Sequence, residues 1–260
     1  LKPISHISSA ISHRPSNTTK LAVARWLHHH SALWLARFRH GCVICAQSHH
    51  GSSMLDLICE HCQSLIPLLP PIVKIPLSPS LPSDMASSHV RLFSLSYYQY
   101  PMNHLIQNFK DHENLHALLA LYAVLAKLPK PVGCTAKDTV ILPIPTTSSR
   151  IRARGFNPVL ILAKFLSWHW QLPLWQGLAR HDGVRHQRGL NRSERLANTQ
   201  SDFYLTSAVP TRQVIIFDDV VTTGSTVASA ARLLISNAPK LRIISVCLAH
   251  GSADFGLDRA

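Results

Sequence analysis

One stretch limits the folds open to this chain more than any other: Val214-Ile-Ile-Phe-Asp218-Asp219-Val-Val-Thr222-Thr223-Gly224-Ser225-Thr226. An apolar strand ends in two adjacent acids and a small hydroxyl-rich loop follows. The spacing of Val227, Ala230, Ala231, Leu234 and Ile235 then predicts a helix. Amides at a helix start are unpaired and point outward, and the helix dipole favours an anion there. Thr222, Thr223, Ser225 and Thr226 can donate hydroxyl hydrogen bonds to one phosphate, and Gly224 lets the backbone approach it without a Cβ in the way. Asp218 and Asp219 carry the wrong charge to hold phosphate; they suit a sugar diol, or Mg²⁺ close by. A capped helix after a buried strand is the competing, purely structural reading. The complete order of strand, acids, loop and helix favours a site. Neither G-x-x-x-x-G-K-[ST] nor G-x-G-x-x-G occurs, so the Walker and Rossmann phosphate loops are excluded.

The rest of the chain alternates in the same manner. Strands are expected over 90–98, 139–143, 213–217 and 241–248, and helices over 102–110, 115–127, 158–170 and 225–235. Such alternation implies an α/β fold with a mostly parallel sheet flanked by helices. Upstream, six prolines between Pro67 and Pro82 read as an extended linker, because proline fixes φ and removes an amide donor. The expected organisation is an extension over 1–40 with a helix near 21–38, a cysteine module over 41–66, a linker over 67–89, and the α/β domain over 90–260.

Within the cysteine module, Cys42-x2-Cys45 and Cys59-x2-Cys62 have the spacing of a tetrahedral four-thiolate zinc site. Two disulfides are the competing reading. Zinc is favoured because the chain reads as cytoplasmic, where thiols stay reduced. Cys134 and Cys247 belong to no motif, and Cys247 falls in an expected buried strand.

Lys and Arg number 26 against 13 acids, a formal net charge of +13. Between residues 140 and 200 there are nine Lys or Arg and only Asp182 and Glu194 against them. This excess suits a phosphate-rich ligand or a nucleic acid. No run of 18 apolar residues occurs, so no membrane-spanning helix is expected.

The 214–226 stretch resembles the phosphoribosyl-pyrophosphate motif of type I phosphoribosyltransferases. The wider pattern resembles the ComF family of competence-associated phosphoribosyltransferase-like proteins. It comprises the paired Cys-x2-Cys motifs, the run from Leu105 to Lys110, Ile141-Leu-Pro-Ile-Pro145, Arg154-Gly-Phe-Asn157, Gln187-Arg-Gly-Leu-Asn-Arg-Ser-Glu-Arg-Leu-Ala-Asn198 and the Asp-Asp loop. The resemblance implies a type I phosphoribosyltransferase fold with a small N-terminal zinc module. It implies that Asp218 and Asp219 bind ribose hydroxyls and that Thr222, Thr223, Gly224, Ser225 and Thr226 hold the 5′-phosphate. Arg150 and Arg154 would lie near pyrophosphate, with Mg²⁺. A mobile loop over 183–198 would cover the site and supply Arg188, Arg192 and Arg195, the first two in a catalytic role with the acids. The partners implied are phosphoribosyl pyrophosphate, nucleic acid (single-stranded DNA included) and DNA-uptake proteins, in the cytoplasm. No segment names an acceptor. Two readings therefore stand: a Mg²⁺-dependent phosphoribosyl transferase, and a non-catalytic DNA-processing factor that keeps the pocket as a sensor or scaffold.

Overall fold

A computed structural model describes residues 41–48, 57–66, 73–77, 89–181 and 202–251. The expected N-terminal extension and the 183–198 loop, with Arg188, Arg192 and Arg195, lie outside them. The chain runs α1 (Glu60–Ser64), β1 (Val73–Pro76), β2 (His89–Tyr97), α2 (Met102–His112), α3 (Leu115–Leu125), β3 (Thr139–Pro143) and α4 (Ser148–Arg154). It continues through α5 (Pro158–Trp170), β4 (Leu178–Arg180), β5 (Phe203–Leu205), β6 (Gln213–Val221), α6 (Ser225–Asn237) and β7 (Arg242–His250).

Short runs of β-branched and other apolar residues build a five-stranded sheet in the order β1-β2-β7-β6-β3. β2, β7, β6 and β3 are parallel, and β1 adds an antiparallel edge. Strands covered on both faces read as continuous apolar runs, and every residue of β3 is buried. Alternate strand residues Val90, Leu92, Val140, Leu142, Val214, Ile216 and Cys247 form one core with Val227, Ala230, Ala231 and Leu234 of α6. On the opposite face α5 packs on β3 and β6. There α3 is buried almost all round, from Ala117 to Leu125, as a helix without a polar face must be. Asn114 and Asn157 cap α3 and α5 by accepting from the amides of Ala117 at 3.0 Å and Leu160 at 3.2 Å.

The mostly parallel sheet is as the sequence implies, but three local readings change. β6 does not stop at Phe217. It runs through both acids to Val221, because Asp218, Val220 and Val221 pair with Cys247, Ala249 and His250 of β7. The proline-rich stretch contains β1, whose pairing with β2 is tolerated because β1 is an edge strand. Between the strand expected over 139–143 and the helix expected from 158, an additional helix forms, α4, capped by Thr147, whose hydroxyl accepts from the Arg150 amide.

Candidate functional site

In a parallel sheet, ligands bind beyond the carboxyl ends of the strands. At the carboxyl ends of β3 and β6 lies a cleft of about 210 Å³ lined by Asp218, Asp219, Thr226, Arg150, Arg154, Lys110 and Arg180 among others. The fold thus brings Asp218, Asp219, Thr226 and Arg150 together as the sequence predicts. Thr222, Thr223 and Gly224 form the loop between β6 and α6 and Ser225 opens α6; Thr222, Thr223 and Ser225 are exposed. The Thr223 hydroxyl donates to the Ser225 hydroxyl at 3.2 Å. Gly224 sits at φ +75 as the N-cap of α6 and offers no side-chain cap; the Ser225 amide donates to Thr223 Oγ1 at 3.4 Å, which leaves the Thr226 and Val227 amides uncapped for an anion.

Four cations and two acids line the cleft. Lys110 Nζ lies 2.7 Å from Asp219 Oδ2, with the Asp219 side chain only 5% exposed. Arg154 is held by Asp111 at 3.2 Å, and Arg180 by Asp202 at 3.4 Å. Arg150 makes no ion pair among the described residues. Burial pushes the Asp218 carboxyl up to about 8, and the charge of Asp219 adds to this; Lys110, the Asp219 amide and Arg180 work against it. The Asp219 amide donates to Asp218 Oδ1 at 2.9 Å.

Sequence alone does not mark Lys110 or Arg180 as a site residue. The only signal for Lys110 is its place at the end of the Leu105-to-Lys110 run. Arg180 sits in a three-residue strand without a motif, with its guanidinium 5.3 Å from the Phe203 ring centroid. The Arg154-Gly-Phe-Asn157 motif also proves to carry much of the local architecture. Gly155 ends α4 at φ +78, Phe156 packs against Phe109 at 5.4 Å, and Asn157 caps α5. Mg²⁺ prefers a few carboxylates completed by water and substrate phosphates. The two acids suit that role only alongside a phosphorylated ligand, since one is already paired.

The four motif cysteines converge: their sulfurs all lie within 4.8 Å of one another. None is in a disulfide. Cys45 and Cys59 sulfurs are 3.7 Å apart, close to the ~3.8 Å edge of a tetrahedron with metal–sulfur bonds of about 2.3 Å. Cys42 Sγ accepts from the amides of Ile44 and Cys59, each at 3.4 Å. Burial alone would raise the Cys42 thiol, but backbone donors outweigh it and bring it down to about 6. The four cysteines lie close enough to hold a metal ion.

Parallel sheet, carboxyl-end acids and glycine-opened helix together define a phosphoribosyltransferase-like domain, and the family model described as "Phosphoribosyl transferase domain" matches residues 151–260. The DNA utilization protein YhgH of Salmonella typhi is 32% identical over 164 residues, 60% of this chain and 71% of that protein. Competence protein F of Haemophilus influenzae is 29% identical over 153 residues, 55% of this chain and 66% of that protein. The chain belongs to the ComF family. A solved structure, the Helicobacter pylori xanthine-guanine-hypoxanthine phosphoribosyltransferase, overlaps 62% of this chain and 82% of its own, at 14% identity and a TM-score of 0.35. An overlap that loose adds nothing to the argument. Among the described residues no helix is long and apolar enough to cross a membrane.

Proposed function

We propose that the cleft binds phosphoribosyl pyrophosphate together with Mg²⁺. The observation that carries this reading is the convergence of Asp218, Asp219, Thr226 and Arg150 on one cleft at the carboxyl ends of β3 and β6. Asp218 and Asp219 accept hydrogen bonds from the ribose hydroxyls. The amides and hydroxyls from Thr222 to Thr226 take the 5′-phosphate. Arg150 and Arg154, which both line the cleft, face the diphosphate, and Mg²⁺ supplies further positive charge on that group when bound. Loss of pyrophosphate from C1 builds negative charge on the leaving group, which fixed cations stabilise without reorganising. Arg188 and Arg192 of the 183–198 loop would close over it and exclude water.

The four-cysteine cluster holds zinc as a structural ion, completing its shell without water. The relatives' names, DNA utilization and competence protein, support a role in using exogenous DNA; in that role the protein would work in the cytoplasm alongside DNA-uptake proteins. The basic excess supports nucleic acid as a partner, single-stranded DNA included. A second reading keeps the pocket as a sensor within a DNA-processing factor that transfers nothing. It is favoured by the absence of an acceptor-naming motif over 90–127. Calorimetric titration of phosphoribosyl pyrophosphate with Mg²⁺ tests the ligand: wild type should bind and Asp218→Asn/Asp219→Asn should not. Absence of binding by folded, metal-loaded wild type would sink the reading, and pyrophosphate release on screening acceptors separates transferase from sensor.

A further inference from the structure

Asp219 is the most enclosed charge in the cleft, and it is already neutralised from within. Lys110 Nζ stands 2.7 Å from Asp219 Oδ2, with the two side chains 22% and 5% exposed. That oxygen has no hydrogen-bond partner among the described residues, so the lysine's charge is what answers it. The base of the lysine is held on both sides. Phe109 is 1% exposed and packs on Phe156, and Asp111 pairs with Arg154 at 3.2 Å. The ammonium can therefore leave Asp219 by rotating its own stem, without movement of α2.

Resting on the reading of this cleft as a phosphoribosyl-pyrophosphate site, we infer that Lys110 is a positioning residue that bars free divalent metal from the acidic pair. It yields Asp219 only to a ligand that brings a diol and phosphoryl charge together. A bare divalent ion at Asp219 would either sit beside the ammonium and be repelled, or have to displace it from an ion pair that is already enclosed. Metal carried by a diphosphate arrives with net negative charge. It is drawn by the four lining cations, gives Lys110 a phosphate oxygen in exchange, and replaces the lost partner of Asp219 with ribose hydroxyls. Order of binding is thereby written into one ion pair.

The test is Mn²⁺ titration of zinc-loaded protein, read by electron paramagnetic resonance, without and with phosphoribosyl pyrophosphate. Wild type and Lys110→Arg should leave Mn²⁺ free when it is the only addition. Lys110→Gln should capture it at least about tenfold more tightly than wild type, and Lys110→Gln/Asp219→Asn should lose that capture. Equal Mn²⁺ binding by wild type and Lys110→Gln would overturn the inference. If Lys110→Gln does not fold, ¹³C-methylated wild-type lysines give a second readout. The Lys110 resonance should shift with Mg²⁺ plus phosphoribosyl pyrophosphate and not with Mg²⁺ alone; a shift with Mg²⁺ alone, or with neither addition, overturns it. Failure of wild type to bind phosphoribosyl pyrophosphate, with Mn²⁺ capture gained in Lys110→Gln, would instead remove the ligand reading and leave the metal exclusion standing.

Discussion

Replacing Gly224 with alanine should damage the fold through a contact that the sequence does not advertise. The backbone there has φ +75, and a Cβ would lie 2.7 Å from Ile75 Cγ2 and 3.1 Å from its Cγ1 and Cδ1. Ile75 belongs to β1 and is only 1% exposed, so it has little room to retreat. The left-handed backbone costs an L-residue roughly 1–2 kcal/mol, and overpacking adds about 1–3 kcal/mol. Stiffening of the unfolded chain by alanine returns roughly 0.4–1 kcal/mol. Gly224→Ala should therefore destabilise the domain by about 3 kcal/mol, read as a lower urea midpoint with unchanged slope. In an Ile75→Ala background the collision is gone, and the same substitution should cost only about 1 kcal/mol. A loss below about 0.5 kcal/mol in wild type, or equal losses in both backgrounds, would refute the reasoning.

Other consequences can be checked in parallel. Asp218 has its folded-state pKa raised from 3.8 to about 8, so the native state holds a proton that the unfolded chain releases. Stability should fall as pH rises from about 4 to about 8 and then level off. Asp218→Asn should remove that slope and stabilise the protein at pH 7; an unchanged pH profile of chemical unfolding would contradict this. Stripping metal, or Cys42→Ser, should expose the amides of Val43 and Ile66, which are bonded to Leu57 and Gln63 carbonyls, to rapid hydrogen exchange. The Ile215 amide in the sheet should stay protected, and equal protection before and after chelation would argue against a structural metal. If DNA binds along α4, neutralising Arg150, Arg152 and Arg154 should flatten the dependence of log affinity on log salt by about one unit per arginine; salt-insensitive binding would contradict it.

Much of the architecture is legible because it is local. β3 is bounded by the same residues the β-branched run predicts, and the asparagine caps sit where the helix periodicity begins. The acids of β6 are misleading for a physical reason: adjacent aspartates look like turn residues, and only their partners on β7 make them strand. β1 is hidden by its prolines, although the alternation of buried Ile75 and Leu77 with exposed Lys74 and Pro76 is visible once the pairing with β2 is known. The site divides the same way. Asp218, Asp219 and the Thr222-to-Thr226 loop are contiguous, so their joint chemistry can be read from order alone. Lys110 reaches Asp219 from the end of a helix far upstream in the chain, and no local pattern records a pairing made by the packing of α2. Arg154 is placed in the cleft as expected, but its partner Asp111 is again a long-range neighbour.

The central claim is that one cleft holds both ends of phosphoribosyl pyrophosphate. Phosphorus NMR of the Mg²⁺ complex, titrated with zinc-loaded protein, tests it most directly. The account predicts that the 5′-phosphate and diphosphate resonances both shift with wild type. Thr226→Val should weaken the first perturbation, Arg150→Ala the second, and Asp218→Asn/Asp219→Asn should abolish both. Resonances that stay at their free positions in the presence of folded wild-type protein would contradict it.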